Sequence, residues 1–121
     1  MPKKVLIGDD EPYILEGVSY IVEQKRFTAL TARDGAEVVK LAKAEMPDLL
    51  LLDIMMPEKD GYEACQELKS DPATRGIHII VVTAKGQERD VERAYECGAD
   101  EVMTKPFDTK ELRERLHKLL D

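Results

Sequence analysis

The sequence predicts an α/β domain: a doubly wound parallel sheet of five strands, (βα)5, with helices on both faces. Three observations predict it. Short apolar runs alternate with helix-like stretches five times along the 121 residues, the pattern of repeated strand–helix units. One run, Leu49–Leu52, is wholly apolar, as a strand covered on both faces must be. Right-handed crossovers then leave few ways to connect the units.

Each element has its own local reason. Lys4–Gly8 reads as the first strand. Pro12–Gln24 reads as a helix, with Ile14, Leu15, Val18, Ile21 and Val22 on one stripe. Phe27–Ala32 is a second strand. Asp34-Gly-Ala-Glu37 has the form of a capping box opening a helix to about Ala44. Val38, Val39, Leu41 and Ala42 make its apolar face, and Pro47 marks its stop. Leu49–Leu52 is the third strand. Gly61–Ser70 is a third helix with Ala64, Cys65 and Leu68 inward. A loop with Asp71-Pro72 and Gly76 leads to the strand Ile77–Val82. A fourth helix, Glu88–Glu96, ends at Gly98, a favourable C-terminal residue. Glu101–Met103 is a short fifth strand. A second capping box, Asp108-Thr-Lys-Glu111, opens the last helix, with Leu112, Leu116, Leu119 and Leu120 inward.

Length and composition bound the function. A chain of 121 residues with no linker or repeat reads as one domain, 1–121. Leu, Ile, Val and Phe make 31 of those residues, above the ~20% below which chains tend to stay disordered. No apolar run approaches the ~20 residues of a membrane span, and the run after Lys4 ends at once in Asp9, too short for a signal peptide. Cys65 and Cys97 form no C-x-x-C pair, which suits a reducing cytoplasm. A net charge of −7 disfavours nucleic-acid binding by this domain, since a basic footprint supplies most of that affinity.

In open parallel sheets ligands bind outside the carboxyl ends of the strands, so the residues ending each strand matter most. The first strand runs into Asp9-Asp10, the third into Asp53, the fourth into Thr83 and Ala84, and the fifth into Lys105-Pro106. Three converging carboxylates repel one another by ~1 kcal/mol per pair in water and ~4 at an effective dielectric of 20. Either one is protonated or a cation sits among them. An all-oxygen donor set suits a hard cation, and Mg²⁺ held by one or two carboxylates plus a phosphoryl group fits best. A carboxylate beside Mg²⁺ and a lysine is in turn a plausible nucleophile toward phosphorus. Lys105 would neutralise phosphoryl charge, Thr83 would donate a hydrogen bond, and Ala84 leaves room for the donor.

The chain resembles the receiver domain of two-component response regulators. The matching pieces are Val5-Leu-Ile-Gly-Asp-Asp-Glu-Pro12, Pro47 to Pro57 with Asp60-Gly61, Ile80-Val-Val-Thr-Ala84, Gly98-Ala-Asp100 and Thr104-Lys-Pro-Phe107. They span nearly the whole chain in the family's order and spacing. The resemblance implies the flavodoxin-like strand order 2-1-3-4-5. It implies Asp53 as phosphoacceptor, Asp10 as a direct Mg²⁺ ligand, Asp9 as one acting through water, and the Met55 backbone carbonyl as a further ligand. It implies Thr83 as the switch hydroxyl, Lys105 as the phosphoryl partner, and a cis Lys105–Pro106 bond. The implied partners are a sensor histidine kinase or phosphotransfer protein and an output protein or domain. The output would read the surface 87–96, 100–103 and 110–118, in a monomer or a phosphorylation-linked dimer. One position departs: the family often has an aromatic three residues before the lysine, and here it is Val102. A valine cannot report the state of Thr83 by a ring flip.

Simpler readings compete at each residue. Asp9 and Asp10 could cap the first helix, but one cap needs one acid. Asp53 could be a loop residue, yet a carboxylate following four buried leucines needs a partner. His78, at the far end of its strand, reads as a surface histidine, His117 as solvated, and both cysteines as small buried residues. Two other functions compete. A phosphatase of the haloacid-dehalogenase type wants D-x-D after its first strand and a substrate cap. A flavin-binding module wants a Ser/Thr/Gly phosphate loop where this chain has Asp-Asp-Glu, and G-x-G-x-x-G is absent. The domain is therefore expected to be a switch that catalyses only its own phosphorylation and dephosphorylation, not an enzyme.

The energetics of that switch are narrow. Two charged hydrogen bonds, from Thr83 and Lys105, supply ~3–6 kcal/mol. Moving a two-state equilibrium from 1:99 to 99:1 takes ~5.5 kcal/mol, so the unphosphorylated domain is expected to sample the active state already. By the same resemblance Met55 and Lys85, neither a general base at neutral pH, would flank the line of water attack, which predicts slow autohydrolysis.

Overall fold

The computed structural model describes residues 2–56, 59–84, 88–105 and 108–121. The chain alternates without interruption: β1 (Lys4–Gly8), α1 (Pro12–Gln24), β2 (Thr28–Ala32), α2 (Gly35–Glu45), β3 (Leu49–Asp53), α3 (Gly61–Ser70), β4 (His78–Ala84), α4 (Glu88–Glu96), β5 (Glu101–Lys105) and α5 (Thr109–Leu120). All strands are parallel in the order β2-β1-β3-β4-β5. The doubly wound architecture expected from the alternation is the one observed.

The period of two in the strands splits the core into two layers. Leu6, Leu50, Leu52, Ile79 and Val81 face α2, α3 and α4, packing on Val38, Ala42, Ala64, Leu68 and Ala94. Val5, Ile7, Leu49, Leu51 and Ile80 face α1 and α5, packing on Leu15, Val18, Val22, Leu112 and Leu116. Every residue of β3 is buried, so its run of leucines serves both layers.

Boundaries shift by one or two residues for identifiable reasons. Phe27 lies outside β2 because its N–H bonds back to the Val22 carbonyl, closing α1, where Arg26 takes a left-handed φ of 65°. Strands β3, β4 and β5 each reach further than their apolar runs, because ladder pairing takes in the polar ends: Asp53 pairs with Val82, Thr83 with Thr104 and Ala84 with Lys105. The predicted caps at Asp34 and Asp108 are present, accepting from Glu37 N at 2.8 Å and Glu111 N at 2.7 Å. Asp60 caps α3 in the same way, from Glu63 N at 2.9 Å. Gly98 follows α4 with a φ of +100°, where a side chain would be strained. Leu119 and Leu120 are half-buried at the end of α5 and pack against the α1–α5 layer of the core.

His78 is not simply a surface residue. Its Nε2 lies 2.7 Å from Glu101 Oε2, and Arg115 donates to the other oxygen of the same carboxylate at 2.7 Å. The ladder register sets β5 beside β4, so charges at these strand starts pair across the edge. His117 is exposed and pairs with Asp121. Cys65 is buried, whereas Cys97 is only half-buried.

Candidate functional site

The winding direction reverses between β1 and β3, the strands that sit side by side while their chain neighbours go to opposite sides. At such a switch point the carboxyl ends of adjacent strands open a crevice. Asp9 and Asp53 stand at that edge, and β5 brings Lys105 to it from the same end. Lys105 Nζ donates to Asp9 Oδ2 at 2.9 Å and to Asp53 Oδ2 at 2.8 Å. Positions 9, 53 and 105, distant in sequence, therefore share one ammonium.

The second oxygen of each acid is satisfied by backbone. Glu11 N donates to Asp9 Oδ1 at 3.0 Å, and Met55 N donates to Asp53 Oδ1 at 3.0 Å. Each carboxylate thus accepts from the amide two residues on and from the lysine, which fixes both rings of contacts. Asp9 and Asp53 are 3% and 5% exposed. Helix α1 has Glu11 at its N-cap with no side-chain cap, and begins with Pro12, so the reading of the Asp pair as mere caps does not hold. Asp10 is exposed at the mouth, and its carboxylate oxygen lies with those of Asp9 and Asp53 inside a 4.8 Å group.

The electrostatics follow from burial. Loss of water pushes the Asp53 carboxyl above the ordinary aspartate range, against the pull of Lys105 and the Met55 N–H, and the Asp9 charge pushes it the same way. Burial alone disfavours the Lys105 ammonium, but its hydrogen bonds to Asp53 and Asp9 and their charges outweigh this and raise its pKa. The site holds more negative charge than one lysine balances.

Thr83 is 1% exposed and lines the cleft with Asp10, Asp53, Met55 and Lys105. Ala84 pairs with Lys105 in the ladder. Met55 stands at the rim, 74% exposed, while its neighbour Met56 is buried. Val102 is half-buried against the layer under α4. Lys85 and the Lys105–Pro106 bond's proline lie outside the described residues, as does Gln87 of the expected output surface.

Sequence reasoning missed one group on the same cleft. Tyr62 and Asp90 are hydrogen-bonded at 2.8 Å, and the Arg93 guanidinium lies 4.1 Å from the centre of the Tyr62 ring. The signal for burial was available: Tyr62 sits three residues before Cys65, on the inward stripe of α3. The pairing with α4 depends on tertiary placement.

The chain belongs to the response regulator receiver domain family, whose profile matches residues 5–117. It is 40% identical over 120 residues to the alkaline phosphatase synthesis transcriptional regulatory protein PhoP of Bacillus subtilis, covering 99% of this chain and 49% of that one. It therefore spans about half the length of that regulator. Its fold superimposes on the chemotaxis protein CheY4 of Vibrio cholerae with a TM-score of 0.91 at 25% identity, covering 99% and 100% of the two chains. It also matches the receiver domain of the sensor histidine kinase PA1611 of Pseudomonas aeruginosa, with a TM-score of 0.89, 25% identity and coverage of 99% and 98%. That structure holds a magnesium ion coordinated in its active site cleft. The chain is a receiver domain of two-component signalling, and no similarity supports the phosphatase alternative. No helix among the described residues is long and apolar enough to cross a membrane.

Proposed function

We propose that Asp53 accepts a phosphoryl group from a phosphohistidine of a sensor histidine kinase or phosphotransfer protein. The observation that carries this is the lysine shared between two buried acids, Asp9 and Asp53, at adjacent strand ends. A carboxylate oxygen of Asp53 forms a bond to phosphorus as the N–P bond breaks, and the electron pair leaves with the imidazole nitrogen. Lys105, already 2.8 Å from Asp53, follows the charge onto the phosphoryl oxygens. Thr83 donates to one of those oxygens.

The donor set fits a hard cation: Asp10 at the mouth, with Asp9, Asp53 and the Met55 backbone carbonyl, would hold Mg²⁺. When bound it would offset the excess negative charge and polarise the phosphoryl group. The product is a conformation rather than a released compound, so we read the domain as a switch. The proposed output surface is α4, β5 and α5, meeting a partner protein or domain, with the chain monomeric or dimerising on phosphorylation. A net charge of −7 supports a protein rather than a nucleic acid as the direct contact.

The test is incubation with Mg²⁺ and acetyl phosphate, followed by intact-mass analysis. One base-labile phosphoryl group per chain is expected, and Asp53→Asn should abolish it. Label retained in the Asp53→Asn protein would refute the assignment, and continuous release of phosphate would point to a phosphatase.

A further inference from the structure

Helices α3 and α4 meet at a polar cluster of Tyr62, Asp90 and Arg93. The Tyr62 hydroxyl donates to Asp90 Oδ1 at 2.8 Å and lies 3.3 Å from the Asp90 carbonyl oxygen. The Arg93 guanidinium stacks 4.1 Å from the ring centre, and the ring is 5% exposed. Helix α4 is otherwise lightly anchored among the described residues, packing on β4 and β5 with Ala94 as the one buried residue of its nine. On its other side Tyr62 follows Gly61, whose backbone is pressed against the end of β3. A Cβ at Gly61 would lie 2.5 Å from the Asp53 carbonyl oxygen and 2.6 Å from the Ile54 Cα. Gly61 N also donates to the Ile54 carbonyl at 3.2 Å. Two consecutive residues thus join the backbone of Asp53 to the first turns of α4, the helix that follows Thr83 in the chain.

We propose that Tyr62 is a positioning residue: its contact with Asp90 and Arg93 fastens α4 to the Asp53 loop and sets how often α4 leaves its resting place before phosphorylation. The proposal rests on the reading of Asp53 as phosphoacceptor. Coupling between sites is reciprocal. If displacement of α4 favours the phosphorylated loop, loosening α4 favours the phosphorylated state, and phosphoryl acceptance speeds up to the extent that its transition state already shares that displacement. A ring that merely fills space has no such consequence, and Tyr62→Phe separates the two, because it keeps the ring and the Arg93 stacking and removes only the hydroxyl.

The experiment compares the full wild-type chain with Tyr62→Phe in two assays. Amide hydrogen exchange without phosphodonor should show residues 91–96 exchanging about tenfold faster, a change of about 1.4 kcal/mol. Ile54 and Met55 should speed up with them, and the amides of β1 should not. Phosphorylation by acetyl phosphate with saturating Mg²⁺ should then rise several-fold. Arg93→Gln, which loosens the same contact from its exposed side, should move both readouts in the same direction and guards against a fault peculiar to one variant. Faster exchange in α4 with Ile54, Met55 and the phosphorylation rate unchanged would reduce Tyr62 to a local strut and overturn the proposal. If neither protein takes phosphoryl at Asp53, the functional reading fails, while exchange at Ile54 and Met55 still decides whether Tyr62 couples the two segments.

Discussion

Replacing Asp53 by asparagine removes a buried ion pair, yet in the absence of Mg²⁺ it should stabilise the protein. The attraction between Asp53 and Lys105 at 2.8 Å is ~6 kcal/mol at an effective dielectric of 20. Repulsion from Asp9, with oxygens inside a 4.8 Å group, returns ~3.5 kcal/mol of that on the same scale. Desolvation of a buried carboxylate costs several kcal/mol more, which leaves the charged form at a net disadvantage of about 1–2 kcal/mol. The raised pKa of Asp53, due first to burial, has the same sign. Asparagine keeps an acceptor for Met55 N–H and discards the charge. Unfolding entropy of ~2.1 cal/mol/K per residue over 121 residues gives ~0.25 kcal/mol/K, so Tm should rise by about 4–8 °C. The assay is thermal unfolding in EDTA from pH 3.5 to 8. An aspartate with a raised folded pKa binds protons more readily when folded, so wild-type stability falls, relative to the variant, as pH rises from the ordinary value through the raised one. The gap should therefore close in acid. With Mg²⁺ the wild type should gain more than the variant, because ligand binding to the folded state stabilises it. A lower Tm for Asp53→Asn in EDTA at pH 7 would show that the lysine outweighs burial, and the electrostatic account of the site would be wrong.

Lys105→Met should act in the opposite direction, since it leaves Asp9 and Asp53 buried without their shared cation. Breaking a buried pair costs ~3–5 kcal/mol; with Lys105 24% exposed the loss should be about 2–3 kcal/mol in EDTA, partly recovered by Mg²⁺ in the same melts. Because the folded pKa of Lys105 is raised, its contribution is full below the ordinary lysine value and is lost as pH rises through the folded one; the wild-type advantage over the variant should shrink only in strong alkali. Gly35→Ala should cost ~1–3 kcal/mol by overpacking, because its Cβ would sit 1.7 Å from the Lys59 carbonyl oxygen; denaturant unfolding measures it. Met55→Asn should shorten the lifetime of the phosphorylated protein at saturating Mg²⁺ by supplying a polar group that can orient water.

The fold was legible because local and global signals agree. The four leucines of β3 required cover on both faces, and the acid–x–x–Glu boxes at Asp34 and Asp108 marked where two helices begin. The strand ends carried the site, since a polar residue directly after a buried run has one place to go in a parallel sheet. What escaped was whatever depends on which side chains meet across elements. The sharing of Lys105 by Asp9 and Asp53 follows from β5 lying two strands from β3 at the same height, a relation of register rather than of residue type. The Tyr62–Asp90–Arg93 contact escaped for the same reason: a tyrosine on an inward stripe reads as core until α4 is placed over it. The half-buried His78 was misjudged because its partner, Glu101, belongs to a strand too short and polar to give a strong pattern.

The distribution of anchorage explains why a charge change at Asp53 would be felt at α4 rather than elsewhere. A phosphoryl group adds ~−1.5 to −2 charge beside Asp9 and Asp10, where the balance is already negative. In the proposed mechanism Lys105 and Thr83 would answer it. Asp9, directly after β1, has both carboxylate oxygens bonded, and β3 is buried along its whole length, so neither can yield. Thr83 lies near the end of β4, and the helix after it buries a single alanine. Segments with few buried apolar contacts open at the lowest free energy. The response should therefore run along β4 into α4, against a resistance to which the contact that Tyr62 makes contributes.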